Sequence, residues 1–369
     1  MISIPRGVAL LALMLAGPMA GVAGAQTAAA TAPPPAQASG QPQAPASPDA
    51  RGLHRWLDLQ VISLDTRYRF IDTSEGVHTF NQMQHRQTVK LGVKLDPAGH
   101  YSVQFGLGSG TNFTASWEPT GIGTGDGDWH PYIRQLYAAA APGNGLELQV
   151  GGLSTIRGES SEITTYDNDG YVVGERISVK RPKDLYLDEI SLTVGHLGDI
   201  NTPNVFDRFD ETGDHDYEQA LVAKRITKRV SASLDWTHAL HDDTLRQAIR
   251  VGLKETRVVD AARLEVYERV TGVTGRGLAA TLERALTKKL ALSGGYATID
   301  RNNPTLNGDR YLRGQRVFLE GRYALLPELT LSTFYTRAFK NDFVVPNRTR
   351  FDLVLAYNVV RALQRGHLW

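Results

Sequence analysis

The chain of 369 residues has no cysteine. Disulfides, thiolate metal sites and acylation of a cysteine behind an export leader are therefore excluded. Neither sign of charge is in excess, with 40 Lys and Arg against 39 Asp and Glu. Loss of Arg6 with a leader would bring the two to equality, which argues against a strongly basic nucleic-acid binder. Beyond the N-terminus no apolar run approaches the roughly 20 residues that a spanning helix needs.

What is present begins with export. Met1 to Arg6 carries one positive charge, Gly7 to Val22 is apolar, and Ala23-Gly24-Ala25 offers small residues at a cleavage site. Residues 1–25 read as a secretory signal peptide, its apolar run being short for an anchor. Gln26 to Ala50 follows, with 15 of 25 residues Ala or Pro. Such a segment lacks the side chains that would stabilise an ordered state, so 26–52 is expected to be a mobile linker. The folded part is then 53–369.

From Trp56 onward the pattern is period two. Val89, Leu91, Val93 and Leu95 alternate with Lys90, Gly92 and Lys94. Tyr101, Val103, Phe105 and Leu107 alternate with Ser102, Gln104, Gly106 and Gly108, and Phe351 to Val359 alternates likewise. Short turns (96–99, 142–145, 228–229, 287–289, 326–328) take turns with longer loops near 114–130, 156–172, 200–216, 300–313 and 340–347. Such alternation is what a closed antiparallel barrel in an outer membrane shows. Without water to satisfy backbone groups, strands there must close on themselves.

Sixteen strands are predicted, near 56–69, 83–95, 100–113, 131–141, 146–154, 173–181, 187–198, 217–226, 230–240, 244–255, 261–270, 276–286, 290–299, 314–325, 329–339 and 349–361. The fold class is all-β, a closed antiparallel transmembrane barrel. Without the weakest hairpin, 173–198, fourteen strands remain. Both chain ends would lie on the periplasmic side. Tyr68, Phe70, Tyr101, Trp129, Tyr132, Tyr311, Tyr335 and Phe339 fall near strand ends, where interface girdles would put them. A soluble sandwich would instead hold its aromatics mid-core.

The hairpin Tyr132-Ile133-Arg134-Gln135-Leu136-Tyr137, a Gly-containing turn, and Leu146 to Gly152 is similar to the Arg-Gln-aromatic hairpin of Gram-negative porins. With the pattern from Leu53 to Trp369, it makes the chain resemble a bacterial outer-membrane porin. The resemblance implies a bacterial outer-membrane location, lipid as surroundings, small hydrophilic solutes or ions as cargo and no cofactor. It leaves a homotrimer open. The ending departs from the family's pattern. Trp369 fits, but Arg365 and His367 fall where apolar residues are expected, and alternation stops near Leu363.

In sixteen-stranded porins the loop after the fifth strand folds inward and narrows the pore. Here that loop is 155–172, with Arg157, Glu159, Glu162, Asp167 and Asp169 as constriction residues. Alternation turns Lys90, Lys94, Arg246, Arg250, Arg263, Arg269, Arg316 and Arg322 toward the lumen, with Asp58, Glu147, Asp235, Glu265, Glu283 and Glu320. The wall is thus mixed in charge, and cross-strand pairing is expected for many of these groups.

Other chemistry finds little support. Aligning Gly170 with the sixth position of a calcium loop puts Thr165 first and Arg176 twelfth, so the ligand set fails. His238, His241, Asp242 and Asp243 are expected in a solvated hairpin tip, and His215-Asp216 likewise. No G-x-S-x-G or H-E-x-x-H motif occurs. The alternatives to a channel are an outer-membrane enzyme acting on lipid or peptide, and a non-conducting binding barrel that would use loops 114–130 and 200–216.

Overall fold

The computed structural model describes residues 55–366 apart from 74–79, 111–114, 166–170, 181–185, 198–201, 212–214, 240, 254–257, 273, 301–310, 312 and 341–347. The leader and linker expected at 1–52, and His367 and Trp369, lie outside the described residues.

Seventeen strands form one sheet. They are β1 (Leu57–Thr73), β2 (Phe80–Lys94), β3 (Tyr101–Ser109), β4 (Glu118–Gly123), β5 (Pro131–Gly143), β6 (Leu146–Ser154), β7 (Tyr171–Lys180), β8 (Glu189–His196), β9 (Tyr217–Arg225), β10 (Val230–Ala239), β11 (Asp242–Gly252), β12 (Ala261–Arg269), β13 (Gly275–Ala285), β14 (Leu290–Ile299), β15 (Gly314–Ala324), β16 (Leu329–Lys340) and β17 (Arg348–Asn358). Each pairs antiparallel with its neighbours, and β1 pairs with β17 from Ser63↔Asn358 to Thr73↔Arg348, which closes the ring. Sixteen of the strands build that closed barrel. A closed ladder leaves no edge whose N–H and C=O groups lack partners. The hairpin open to doubt from sequence is present as β7 and β8, paired from Val173↔His196 to Lys180↔Glu189.

The seventeenth strand, β4, lies inside the segment expected as a plain loop. It pairs with the upper part of β2 through Gln84↔Pro119 and His85↔Glu118. β2 runs to Phe80 while β3 stops at Ser109, so the upper edge of β2 is free to take another strand. The third strand, expected to reach 113, is accordingly shorter.

The last strand also differs from expectation. It ends at Asn358 rather than 361, and helix α1 (Val359–Arg365) follows. Asn358 caps it, its side chain accepting a hydrogen bond from the Arg361 amide at 2.9 Å. Arg365 pairs with Glu328 at 2.7 Å. Alternation fails from Val359 because the chain has become helical. No described helix is long and apolar enough to cross a membrane.

Side chains are distributed inside out relative to a water-soluble protein. Leu64, Leu148, Val150, Ile177, Leu192, Ile249, Leu264, Leu282, Leu319 and Leu355 are exposed on the outer face. Asp65, Arg67, Arg69, Gln149, Arg176, Asp235, Arg246, Glu265, Arg350 and Asp352 are buried on the inner one. One apolar cluster also lies inside, joining Ile163, Tyr267, Ala279, Ala297, Ile299, Tyr311, Phe318 and Phe334. Tyr311 belongs to it instead of to an interface girdle, because its ring packs edge-on to Phe318 at 5.4 Å and Phe334 at 5.5 Å.

At the turn between β2 and β3, Asp96 accepts hydrogen bonds from the amides of Tyr101 at 2.8 Å and Ala98 at 3.2 Å. These backbone donors, Tyr101 first, hold its carboxyl below the usual carboxylate range. A depressed carboxyl stabilises the turn above its unfolded value, and the contribution is lost as pH falls through the folded one.

Gly277 on β13 faces inward beneath the Tyr267 ring, and a Cβ there would fall within the ring. Gly277→Val is expected to destabilise the barrel by about 1–3 kcal/mol through overpacking. The double variant Gly277→Val with Tyr267→Ala is expected to recover part of that loss. The temperature at which the folded band disappears from unheated gels measures both.

Candidate functional site

Two segments from one end of the barrel fold into its interior. The first is the segment after β6, described from Thr155 to Thr165. It crosses the inner face of four consecutive strands and is tied to each. Gln219 on β9 donates to the Ile156 carbonyl at 2.9 Å. The Glu159 amide donates to the Ser233 hydroxyl on β10 at 2.9 Å. On β11, Arg246 Nε donates to the Thr164 carbonyl at 2.8 Å. On β12, Glu265 Oε2 accepts from the Ser161 amide at 2.8 Å and from the Thr164 hydroxyl at 2.6 Å.

Two features of the segment allow this close approach. Gly158 has φ +57°, and a Cβ there would meet the Ser233 side chain at 2.6 Å. Ile163 points into the apolar cluster and is 3% exposed, so the segment has an apolar anchor beside its polar ties. Of the expected constriction residues, Arg157, Glu159 and Glu162 are half-buried. Glu159 interacts electrostatically with Arg250 on β11. Asp167 and Asp169 lie outside the described residues.

The second inward segment is 115–118. The Trp117 indole lies between two guanidinium groups, Arg67 at 4.1 Å and Arg86 at 4.5 Å from the ring centroid. Cation–π contacts of this kind are strongest where water is thin. Arg134 Nη2 donates to the Ala115 carbonyl at 3.0 Å. Arg86 pairs with Asp65 at 2.7 Å. Asp352 gathers Arg69 at 3.1 Å, Arg350 at 2.5 Å and Arg67 at 3.8 Å.

This second wall is rich in guanidinium. Arg67, Arg69, Arg86, Arg134 and Arg350 share it with Asp65, Asp352 and the fully buried Glu118. On β15, separated from β17 by β16, Arg316 is 1% exposed; its Nη2 donates to the Arg313 carbonyl at 2.9 Å, and its Nε and Nη1 make no hydrogen bond. In ring order β1 and β2 stand roughly opposite β9 and β10. The guanidinium-rich wall therefore faces the wall that carries segment 155–165.

The remaining predicted lumen residues fall into two groups. Several are paired across strands as expected: Arg246 with Asp235 at 3.0 Å, Arg250 with Glu283 at 2.8 Å, Arg263 with Glu283 at 3.5 Å, and Glu147 with Lys180 at 2.7 Å. Arg269 pairs with Asp242, and Glu320 accepts from the Tyr311 hydroxyl at 3.0 Å. Lys90 lines a cavity of about 50 Å³ in the inner wall with Thr88, Ser116, Arg134 and Gln135. Arg322 is exposed near the short-turn end, and Lys94 and Asp58 are half-buried near that end.

The centre of the guanidinium wall was not among the residues expected from the alternation. Arg67, Arg69 and Arg350 stand at inward positions of β1 and β17, and the spacings Arg67-Tyr-Arg69 and Arg348-Thr-Arg350 were a usable signal. Trp117 was hidden by its place in a loop.

The histidines also differ in part from expectation. His238 lies on β10 rather than in a tip, its Nδ1 2.9 Å from Asp243 Oδ1. His241 holds the turn with φ +69°. Asp216 accepts from the Leu197 amide at 2.6 Å.

Glu265 is the tie most open to test, since its Oε1 is buried without a hydrogen-bond partner. Glu265→Ala is expected to raise amide exchange at Ser161 by roughly tenfold or more, since unmade buried bonds cost about 1–3 kcal/mol. Glu265→Gln keeps an acceptor oxygen and is expected to change it far less. Hydrogen exchange read by mass spectrometry distinguishes the two.

No protein-family model matches the chain, and no curated protein matches it in sequence. Solved structures do. OmpF of Salmonella typhi in complex with daunomycin aligns with TM-score 0.54 at 10% identity, over 82% of this chain and 97% of its own. A mutant Rh. blastica porin aligns with TM-score 0.52 at 10% identity, over 82% and 99%. OpdL of Pseudomonas aeruginosa aligns with TM-score 0.50 at 13% identity, over 81% and 98%. Together with the ring closed between β1 and β17, these likenesses give the chain the sixteen-stranded antiparallel barrel fold of the porins.

Proposed function

We propose that the protein is an outer-membrane channel through which small hydrophilic solutes diffuse, with anions preferred. The inside-out distribution of side chains carries this reading. An apolar outer belt suits hydrocarbon, and an interior of guanidinium, carboxylate, amide and hydroxyl groups suits a wet path. The porin fold of the structural neighbours supports it. The barrel would be delivered by the leader read at 1–25 and joined to it by the linker 26–52.

Segment 155–172 acts as the constriction in this proposal. Its ties to β9–β12 support a fixed position, and it brings Glu159 and Glu162 to face Arg67, Arg69, Arg86, Arg134 and Arg350. Acid on one side and guanidinium on the other set up a transverse field, which orients solutes and biases ion passage. The five named arginines exceed the carboxylates Asp65, Glu118 and Asp352 on their wall, hence the preference for anions. The outer-membrane enzyme is the weaker reading, since among the described residues His130 and His238 pair with the carboxylates Glu118 and Asp243 but with no serine or threonine hydroxyl. Solute passage itself needs no cofactor.

Planar-bilayer recording of the purified protein in a salt gradient tests the proposal. Discrete steps with a reversal potential of chloride sign are expected. Deleting Glu159–Asp169 is expected to enlarge the steps, and Glu159→Gln with Glu162→Gln to strengthen the anion preference. Unchanged steps after the deletion would remove the constriction role. Absence of steps, with strand content intact by circular dichroism, would remove the channel.

A further inference from the structure

The short-turn rim of the barrel is charged unevenly. The turns between β2 and β3 and between β5 and β6 contain no lysine or arginine. Those between β9 and β10 and between β13 and β14 contain Lys228-Arg229 and Lys288-Lys289, and neither contains an acid. All four cations are exposed. The carboxylates on neighbouring turns are engaged elsewhere. Asp188 accepts from the Arg225 amide, and Asp260 accepts from the Ala285 amide at 2.6 Å and pairs with Arg284 at 3.2 Å.

The two basic turns are one device built twice. Ile226-Thr227-Lys228-Arg229-Val230 and Leu286-Thr287-Lys288-Lys289-Leu290 match in residue type at every position. Their hydrogen bonds match as well. The Thr227 hydroxyl oxygen accepts from the amides of Arg229 at 3.1 Å and Val230 at 3.0 Å. Thr287 accepts from Lys289 at 3.1 Å and Leu290 at 3.0 Å. With both lone pairs used in this way, each hydroxyl keeps its own O–H to donate outward. Each turn thus holds two cations and one hydroxyl donor together.

The depth of these groups is fixed by what stands beside them. Ile226 and Leu286 continue the outward rows of Val222 and Leu282, and are 49% and 50% exposed. They end the apolar belt. So short a turn cannot carry its cations far beyond that belt. Lysine and arginine stems run along apolar surface while their heads seek the polar boundary. In a bilayer that boundary is the plane of the phosphates.

We infer that these two turns bind the phosphate headgroups of anionic phospholipid, one headgroup to each turn. The threonine hydroxyl donates to a phosphate oxygen, and the two cations neutralise the charge. A zwitterionic lipid gains less, because its own ammonium is repelled by the same cations. Each cation near a membrane surface is worth roughly fivefold in affinity for anionic lipid. The turns are four strands apart, roughly 20 Å at the usual strand spacing, so one headgroup cannot bridge them. The inference rests on the barrel lying in a bilayer, which flotation with phosphatidylcholine vesicles checks separately.

Native mass spectrometry of the delipidated protein in mild detergent, supplied with phosphatidylglycerol or phosphatidylcholine, tests the assignment. Two retained phosphatidylglycerol molecules per chain are expected, and no retained phosphatidylcholine. Lys228→Gln with Arg229→Gln is expected to leave one, as is Lys288→Gln with Lys289→Gln, and all four together none. Arg337→Gln, at an exposed position near the opposite rim, is expected to change nothing. Equal retention of the two lipids, or an unchanged count in the fourfold variant, would overturn the inference. So would loss of the lipid in Arg337→Gln, which would move binding to the other rim. Cosedimentation with purified peptidoglycan that needs the four cations, while lipid retention does not, would reassign the rim and overturn it too. Should the fourfold variant fail to fold, raising the ammonium acetate concentration on the unmodified protein decides, since adducts that persist would overturn an ionic grip. Failure to float with vesicles would instead overturn the bilayer reading beneath it.

Discussion

Closure of the backbone hydrogen-bond ladder is the constraint on which the rest of this structure depends. Each strand has peptide groups that its neighbours satisfy, and the pairing of β1 with β17 supplies the last partners. In the closed ring successive side chains alternate between the two faces. The outer positions are apolar and the inner ones largely polar. The buried charges of the interior in turn hold the inward segments.

Those charges are seldom alone. Arg246 shows the arrangement in small compass: it bonds Asp235 and Thr237 on the neighbouring strand and reaches the Thr164 carbonyl of the inward segment. Removing one member of such a buried group leaves the others unsatisfied, a loss of about 3–5 kcal/mol for a broken buried pair. The guanidinium wall is bound differently. Its arginines outnumber their carboxylates, and the Trp117 ring takes up part of the imbalance through its electron-rich faces.

The strand pattern was largely legible because a barrel writes its geometry in period two. The sixteen barrel strands lie close to the expected segments, including β7 and β8. Where the reading missed, another force had taken over. β4 arises from a free edge of β2, which local alternation cannot reveal. The helix after Asn358 arises from a side-chain cap. Tyr311 was assigned by its position near a strand end, but its ring found Phe318 and Phe334 inside. Inward charges such as Glu147 and Arg250 were readable from parity, whereas the role of Glu265 as an acceptor for two loop donors needed three dimensions. Asp167 and Asp169 fall outside the described residues, so of the loop expected at 155–172 the structure describes Thr155 to Thr165 and then Tyr171 and Val172 of β7.

Hydrogen bonds tie segment 155–165 to Gln219, Ser233, Arg246 and Glu265, on four adjacent strands remote from the seam between β1 and β17. The residues that make these hydrogen bonds and those that close the ring are thus different. Lineages of such chains could exchange the inward segment, or alter its charge, without renegotiating closure of the ring. That separation gives a physical ground for a barrel outline shared at 10–13% identity: the outline is held by alternation and pairing, which many sequences satisfy, while the interior is free to diverge.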